Sequence, residues 1–159
     1  MPLASEDLFQ SISFKGGTKK YFVADIGRPR FNEIDHYGVV WNGHFITYFE
    51  TARHQLCRFC DFDMQRLSDA GVYLPVSNIE IKIKKPILPR DEIKVAVRAS
   101  LIEENRFEFF HLLLVNNEVR ASGSVQHIPM DKSTGTVAYQ LPENVVKIMK
   151  PLSELFAND

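Results

Sequence analysis

The first thing this chain of 159 residues lacks is cysteine: Cys57 and Cys60 are its only two, too few and too close together for a disulfide framework. A reducing, cytoplasmic setting is therefore expected. Long apolar runs are missing too, and nothing approaches the ~18 residues needed to span a bilayer. The early residues carry Glu6, Asp7 and Lys15 with no apolar stretch, so no secretory leader is expected. Charge of one sign is also absent: 19 Lys and Arg against 20 Asp and Glu leave a formal net charge of -1. Bulk electrostatics thus gives no ground for nucleic acid or a membrane surface as partner. Internal repeats, low-complexity tracts and domain linkers are not seen either. The remaining expectation is one globular domain with a real core.

What is present is a change of period. Residues 1–19 read as an N-terminal arm ending in a Lys- and Gly-rich loop. Tyr21 to Ile26 reads as a first strand, stopped by Gly27 and Pro29. From Phe45 the apolar residues Phe45, Tyr48, Phe49, Ala52, Leu56 and Phe59 recur at steps of three and four, which predicts a helix over 43–60 buried along one face. Asn42, just ahead, fits a helix N-cap. A short helical turn from Met64 to Ala70 closes at Gly71. The second half then alternates with period two, predicting strands over 75–85, 93–99 and 119–127, while 107–115, nearly all apolar, reads as a strand buried on both faces. Turns are expected at Pro86–Asp91, Glu103–Arg106, Asn116–Asn117 and Asp131–Gly135, and Pro142 opens a last short helix over 143–149. One strand, one long helix and then consecutive antiparallel strands form an α+β layer, a sheet wrapped around a central helix over 20–150, with a tail at 151–159.

The chemistry concentrates ahead of the long helix, in Ile34-Asp35-His36-Tyr37-Gly38-Val39-Val40-Trp41-Asn42. Unpaired N–H groups at a helix start stabilise developing negative charge, and a carboxylate in reach can attack a carbonyl or deprotonate water. Gly38 lets backbone approach a ligand closely. By composition alone Ile-Asp-His-Tyr-Gly is also turn-like, so Asp35 as a plain turn residue stands beside Asp35 as a reactive group. His36 does not pair with it, because adjacent side chains on extended backbone point apart.

Asp-x-x-Gly-Val-Val followed by an aromatic-rich helix with Glu50-x-Ala52-Arg53 resembles the hot-dog-fold thioesterases of the 4-hydroxybenzoyl-CoA thioesterase type. In its Tyr37-Gly38-Val39-Val40, Asn42 and Arg53-His54-Gln55-Leu56 it looks nearest to the acyl-lipid and methylketone-pathway acyl thioesterases. The likeness runs from about Tyr21 to Met149 and includes the Asp-Lys-Ser-Thr-Gly turn. It implies a hot-dog fold and hydrolysis of an acyl thioester. Asp35 matches the nucleophile or general base, and Asn42 the position whose backbone N–H polarises the thioester carbonyl. Phe31 stands where one bacterial branch has an assisting Tyr, so no hydroxyl is available there. Gly38, Val39, Val40, Phe45 and Phe49 fall where substrate would lie, although the two phenylalanines read first as core. Glu50 is the reserve acid, since some hot-dog enzymes carry their carboxylate on the helix, but three residues from Arg53 it pairs more simply with that side chain.

The resemblance also implies acyl-CoA, or an acyl-carrier-protein thioester, as substrate, and a homodimer or tetramer with sites between subunits. A hot-dog module that binds acyl-CoA without cleaving it is the competing class; a dehydratase would want a His–acid pair, and none stands out. Cofactors are not expected: His54, Cys57 and Cys60 lie on one helix side, and one helix face cannot surround a metal tetrahedrally. Lys82, Lys84, Lys85 and Arg90 read as a solvated face, with contact to the CoA phosphates as the alternative.

Overall fold

The computed structural model describes residues 5–103 and 105–157; part of the expected Glu103–Arg106 turn, the first four residues of the arm and the last two of the tail fall outside them. Eight strands and three α-helices follow in the order β1 (Phe9–Phe14), β2 (Gly17–Gly27), α1 (Gly43–Phe59), α2 (Met64–Asp69), β3 (Val72–Tyr73), β4 (Val76–Ile83), β5 (Ile93–Glu103), β6 (Arg106–Val115), β7 (Glu118–His127), β8 (Met130–Asp131) and α3 (Glu143–Glu154). Six strands make one antiparallel sheet in the order β1-β2-β5-β6-β7-β4, while β3 and β8 form a separate two-stranded ladder. Helix α1 lies against β2, β5 and β6, and its buried stripe of Phe45, Tyr48, Phe49, Ala52, Leu56 and Cys57 forms the main core with Val95, Val97, Phe109 and Leu113. The expected α+β hot dog is the observed fold.

Two boundaries differ from expectation. Part of the arm belongs to the sheet, because Phe9–Phe14 pairs residue for residue with β2 from Phe22 back to Gly17. Lys15 and Gly16, both at positive φ, make the two-residue turn whose twist suits a hairpin. Ile12 and Phe14 then join a second apolar cluster (Tyr21, Val23, Ala96, Leu112 and Leu114) that belongs to neither α1 nor the main core. At the other end the helix runs through Pro151 to Glu154 rather than stopping at 149. Burial explains this: Leu152 and Phe156 are both packed into the main core, so residues 151–156 belong to the domain.

One glycine sets how closely helix and sheet approach. A Cβ on Gly123 of β7 would stand 2.6 Å from the Glu80 carbonyl oxygen and 2.7 Å from the Phe49 ring. Gly123→Ala would ordinarily strengthen a strand by reducing backbone freedom. Here it should lower stability by about 1–3 kcal/mol, because the β4 backbone cannot yield as a side chain does. Thermal denaturation followed by circular dichroism should show a fall of several degrees; a raised midpoint would mean that the contact relaxes freely.

Candidate active site

Asp35 sits on a miniature hairpin between β2 and α1. After a 3-10 turn at Phe31–Glu33, Ile34 and Val40 form an antiparallel bridge. Inside it the Asp35 N–H donates to the Val39 carbonyl at 2.9 Å and the Gly38 N–H to the Asp35 carbonyl at 3.0 Å. The Asp35 Oδ1 accepts the Tyr37 N–H at 2.8 Å. Gly38 closes the turn at φ +80° with open space where a Cβ would stand, so conformation rather than crowding calls for glycine. The turn reading of Asp35 therefore holds. One carboxylate oxygen pins the turn, and Oδ2 has no partner among the described residues. The side chain is half-buried, while His36 and Tyr37, in ring contact at 4.8 Å, are exposed.

The hairpin is tied down at its base. The Val40 N–H donates to Ile87 and the Trp41 N–H to the Glu33 carbonyl, both at 2.9 Å. Asn42 is not the side-chain cap expected: its backbone is already helical (φ -55°, ψ -29°) and its side chain caps nothing. The reason is that the helical turn begins one residue earlier, with the His44 N–H donating to the Trp41 carbonyl at 2.9 Å and the Phe45 N–H to the Asn42 carbonyl at 3.2 Å. The backbone N–H groups of Asn42 and Gly43 have no partner among the described residues. Trp41 folds back so that its ring lies where a Gly43 Cβ would be. Only glycine at 43 leaves room for the indole in this position.

The other expected site residues scatter. Val39 is half-buried and Val40 buried beside the hairpin. Phe45 and Phe49 are wholly interior, so in the single chain they support the helix instead of facing an opening. Phe49 lies flat on His111 of β6, ring centroids 4.5 Å apart. Glu50 Oε2 accepts from Arg53 Nε at 3.1 Å and also pairs with its Nη2, which leaves the reserve acid in a structural ion pair. His54 is exposed whereas Cys57 is buried, so the two share no surface; burial pushes the Cys57 thiol up to about 12 and raises that of Cys60. Among the described residues no group of three or more His, Cys, Asp or Glu could hold a metal ion. Of the basic residues, Lys85 meets Glu118 at 3.0 Å and Lys82 meets Glu80 at 4.0 Å, all four side chains well exposed.

The residue that sequence reasoning passed over is Glu33. It is a buried carboxylate whose Oε1 accepts the Arg30 N–H at 2.7 Å and the Tyr48 hydroxyl at 3.0 Å, with His44 Nδ1 4.0 Å from Oε2. Burial first, and then Glu33, pushes the Tyr48 hydroxyl well above its ordinary range.

Comparison with known proteins shows the family and the fold. The sequence profile of the thioesterase-like superfamily matches residues 29–151. A Synechocystis protein provisionally named an esterase is 27% identical over 127 residues, covering 79% of this chain and 76% of its own. A chloroplastic acyl-acyl carrier protein thioesterase of Arabidopsis thaliana is 25% identical over 118 residues, covering 71% and 62% respectively. Among solved structures, a DHNA-CoA thioesterase from Staphylococcus aureus superposes with a TM-score of 0.73 at 22% identity, over 85% of this chain and 90% of that one, a likeness of fold. The Asp35 hairpin, α1 and strands β4 to β7 fall within the matched stretch, and the chain belongs to the thioesterase-like superfamily.

Proposed function

We propose that this protein hydrolyses acyl-CoA thioesters, with Asp35 as nucleophile or general base and the Asn42 N–H, helped by that of Gly43, as the oxyanion site. The chain is a thioester hydrolase. The observation that carries the assignment is a half-buried carboxylate with one uncommitted oxygen, on a rigid turn leading into a long helix whose first amides are unpaired. As the thioester carbonyl becomes tetrahedral, its oxygen gains charge that those amides and the positive end of the helix dipole stabilise. Asp35 either adds to the carbonyl carbon, giving a mixed anhydride that water then cleaves, or takes a proton from the attacking water. In both routes the thiolate departs and the free acid remains. Gly38, Val39 and Val40 form the wall beside the reacting carbonyl.

The working unit is a homodimer or a pair of dimers. Phe31, Tyr37 and Trp41 are largely exposed around Asp35 in the single chain, and β4 is an open edge bearing exposed Val76, Ile79 and Ile83. A second copy laid on these surfaces would bury them and wall in the acyl group. No helix among the described residues is long and apolar enough to cross a membrane, and two free cysteines suit a reducing cytoplasm.

An acyl-carrier-protein thioester is the second substrate reading, favoured by the Arabidopsis relative's name. Thiol release measured over a panel of aliphatic and aromatic acyl-CoAs, with matching acyl-carrier-protein thioesters alongside, tests both. Release from at least one acyl-CoA is expected. Release from carrier protein alone would favour the second reading, and binding of acyl-CoA without any release would identify a sequestering module.

A further inference from the structure

Glu33 is a buried acid for which hydrolysis has no direct use, and it accepts three hydrogen bonds from three places in the chain. Its side chain takes the Arg30 N–H before it and the Tyr48 hydroxyl on α1, and its second oxygen faces His44 in the first turn of α1. Its carbonyl takes the Trp41 N–H after it. The start of the 30–41 loop, its end and the helix therefore converge on one residue. The next bridge outward is Ile34–Val40, and the residue after Ile34 is Asp35. Val40 is bonded to Ile87 instead, outside the helix. Burying a polar side chain is costly unless donors compensate, and here the Arg30 N–H and the Tyr48 hydroxyl do so.

We propose that Glu33 is a positioning residue for the thioester-hydrolysing site: its grip on Tyr48 fixes the hairpin carrying Asp35 relative to the amides of Asn42 and Gly43. The inference rests on the hydrolase assignment above. The oxyanion donors belong to the helix and the reactive carboxylate to the loop, so their spacing is only as definite as the tether between the two. A misplacement of about 1 Å at a reacting centre costs on the order of 100-fold in rate.

The test compares Glu33→Ala, Glu33→Gln and Tyr48→Phe with wild type in two ways: steady-state thiol release from the best acyl-CoA, and hydrogen exchange of peptides spanning 31–41. Glu33→Ala should lose about 30-fold or more in kcat with KM within about threefold, since aim is lost and binding is not. Glu33→Gln keeps the oxygen that accepts from Arg30 and Tyr48, so it should retain about a third or more of kcat. Tyr48→Phe, with one tether cut, should fall between them. Exchange over 34–41 should quicken by about tenfold in Glu33→Ala and little in Glu33→Gln.

A folded Glu33→Ala with near-wild-type kcat overturns the proposal. So does a Glu33→Gln as impaired as Glu33→Ala, which would make charge and not grip the active property. Unchanged exchange over 34–41 overturns it as well. A wild type that releases no thiol sinks the hydrolase assignment instead, and the exchange comparison then decides the grip alone. Should Glu33→Ala fail to fold, Tyr48→Phe carries both readouts, with wild-type values in both counting against the proposal.

Discussion

Below pH 6 this protein should lose stability at a rate approaching 1.4 kcal/mol per pH unit from one side chain, His111. His111 is fully buried on β6, face to face with Phe49, and neither ring nitrogen has a hydrogen-bond partner among the described residues. Burial lowers its pKa from 6.5 to about 3; the nearby Arg53 and His127 push the same way, while the Gly123 and Phe49 backbones offset only part of it. In the unfolded chain the same imidazole takes up a proton near 6.5. Between those values the unfolded state holds the extra proton, so stability is full above about pH 6.5 and falls as pH falls, until the folded ring also protonates near 3. At pH 4 the accumulated loss is about 3 kcal/mol, a large part of the roughly 5–15 kcal/mol that holds a domain together. His127 adds in the same direction: burial lowers its pKa, and the Leu74 carbonyl that its Nδ1 meets at 2.8 Å offsets only part of this. Replacing His111 with Phe keeps a ring against Phe49 and removes the proton. Urea denaturation at intervals from pH 7 to pH 4 should then show a shallower decline, by about one proton's worth. Equal slopes for wild type and His111→Phe would mean that the buried ring titrates normally.

How much of this could be read in the sequence depends on the range of the interaction. The α1 stripe, the alternating strands and the Asn116–Asn117 turn are local patterns, and they appear where periodicity and turn chemistry put them. The β1–β2 hairpin was equally local but masked. Phe9, Ser11 and Ser13 alternate with Gln10, Ile12 and Phe14 too weakly to mark an apolar face, and Lys15-Gly16 is a less familiar turn pair than Asn-Gly. The extra length of α3 was hidden by Pro151, which argues for a stop until Leu152 and Phe156 are seen in the core. At the site, Asp35 and Gly38 were legible because a turn must be built from such residues. Glu33 was not, because its partner Tyr48 is 15 residues away and looks like one more ring in the helix stripe. Asn42 misled for the opposite reason: its side chain suits a cap, but Trp41 and His44 start the turn before it.

Replacing Asp35 with Asn should reduce turnover by about 10³-fold while leaving the fold intact. Asn keeps an oxygen to accept the Tyr37 N–H, so the turn closed by Gly38 survives. What is lost is the charge that, in the proposed assignment, attacks the carbonyl or removes a proton from water. KM should move little, since the proposed oxyanion amides of Asn42 and Gly43 are untouched by the change. Glu50→Gln should keep turnover within about threefold, because its carboxylate is committed to Arg53 on the flank of α1.

The most direct test is therefore kcat for release of thiol from a single acyl-CoA, measured side by side for wild type, Asp35→Asn and Glu50→Gln. The expected result is near-complete loss in Asp35→Asn alone. Full turnover in Asp35→Asn together with loss in Glu50→Gln would contradict the account and move the reactive carboxylate from the hairpin onto the helix.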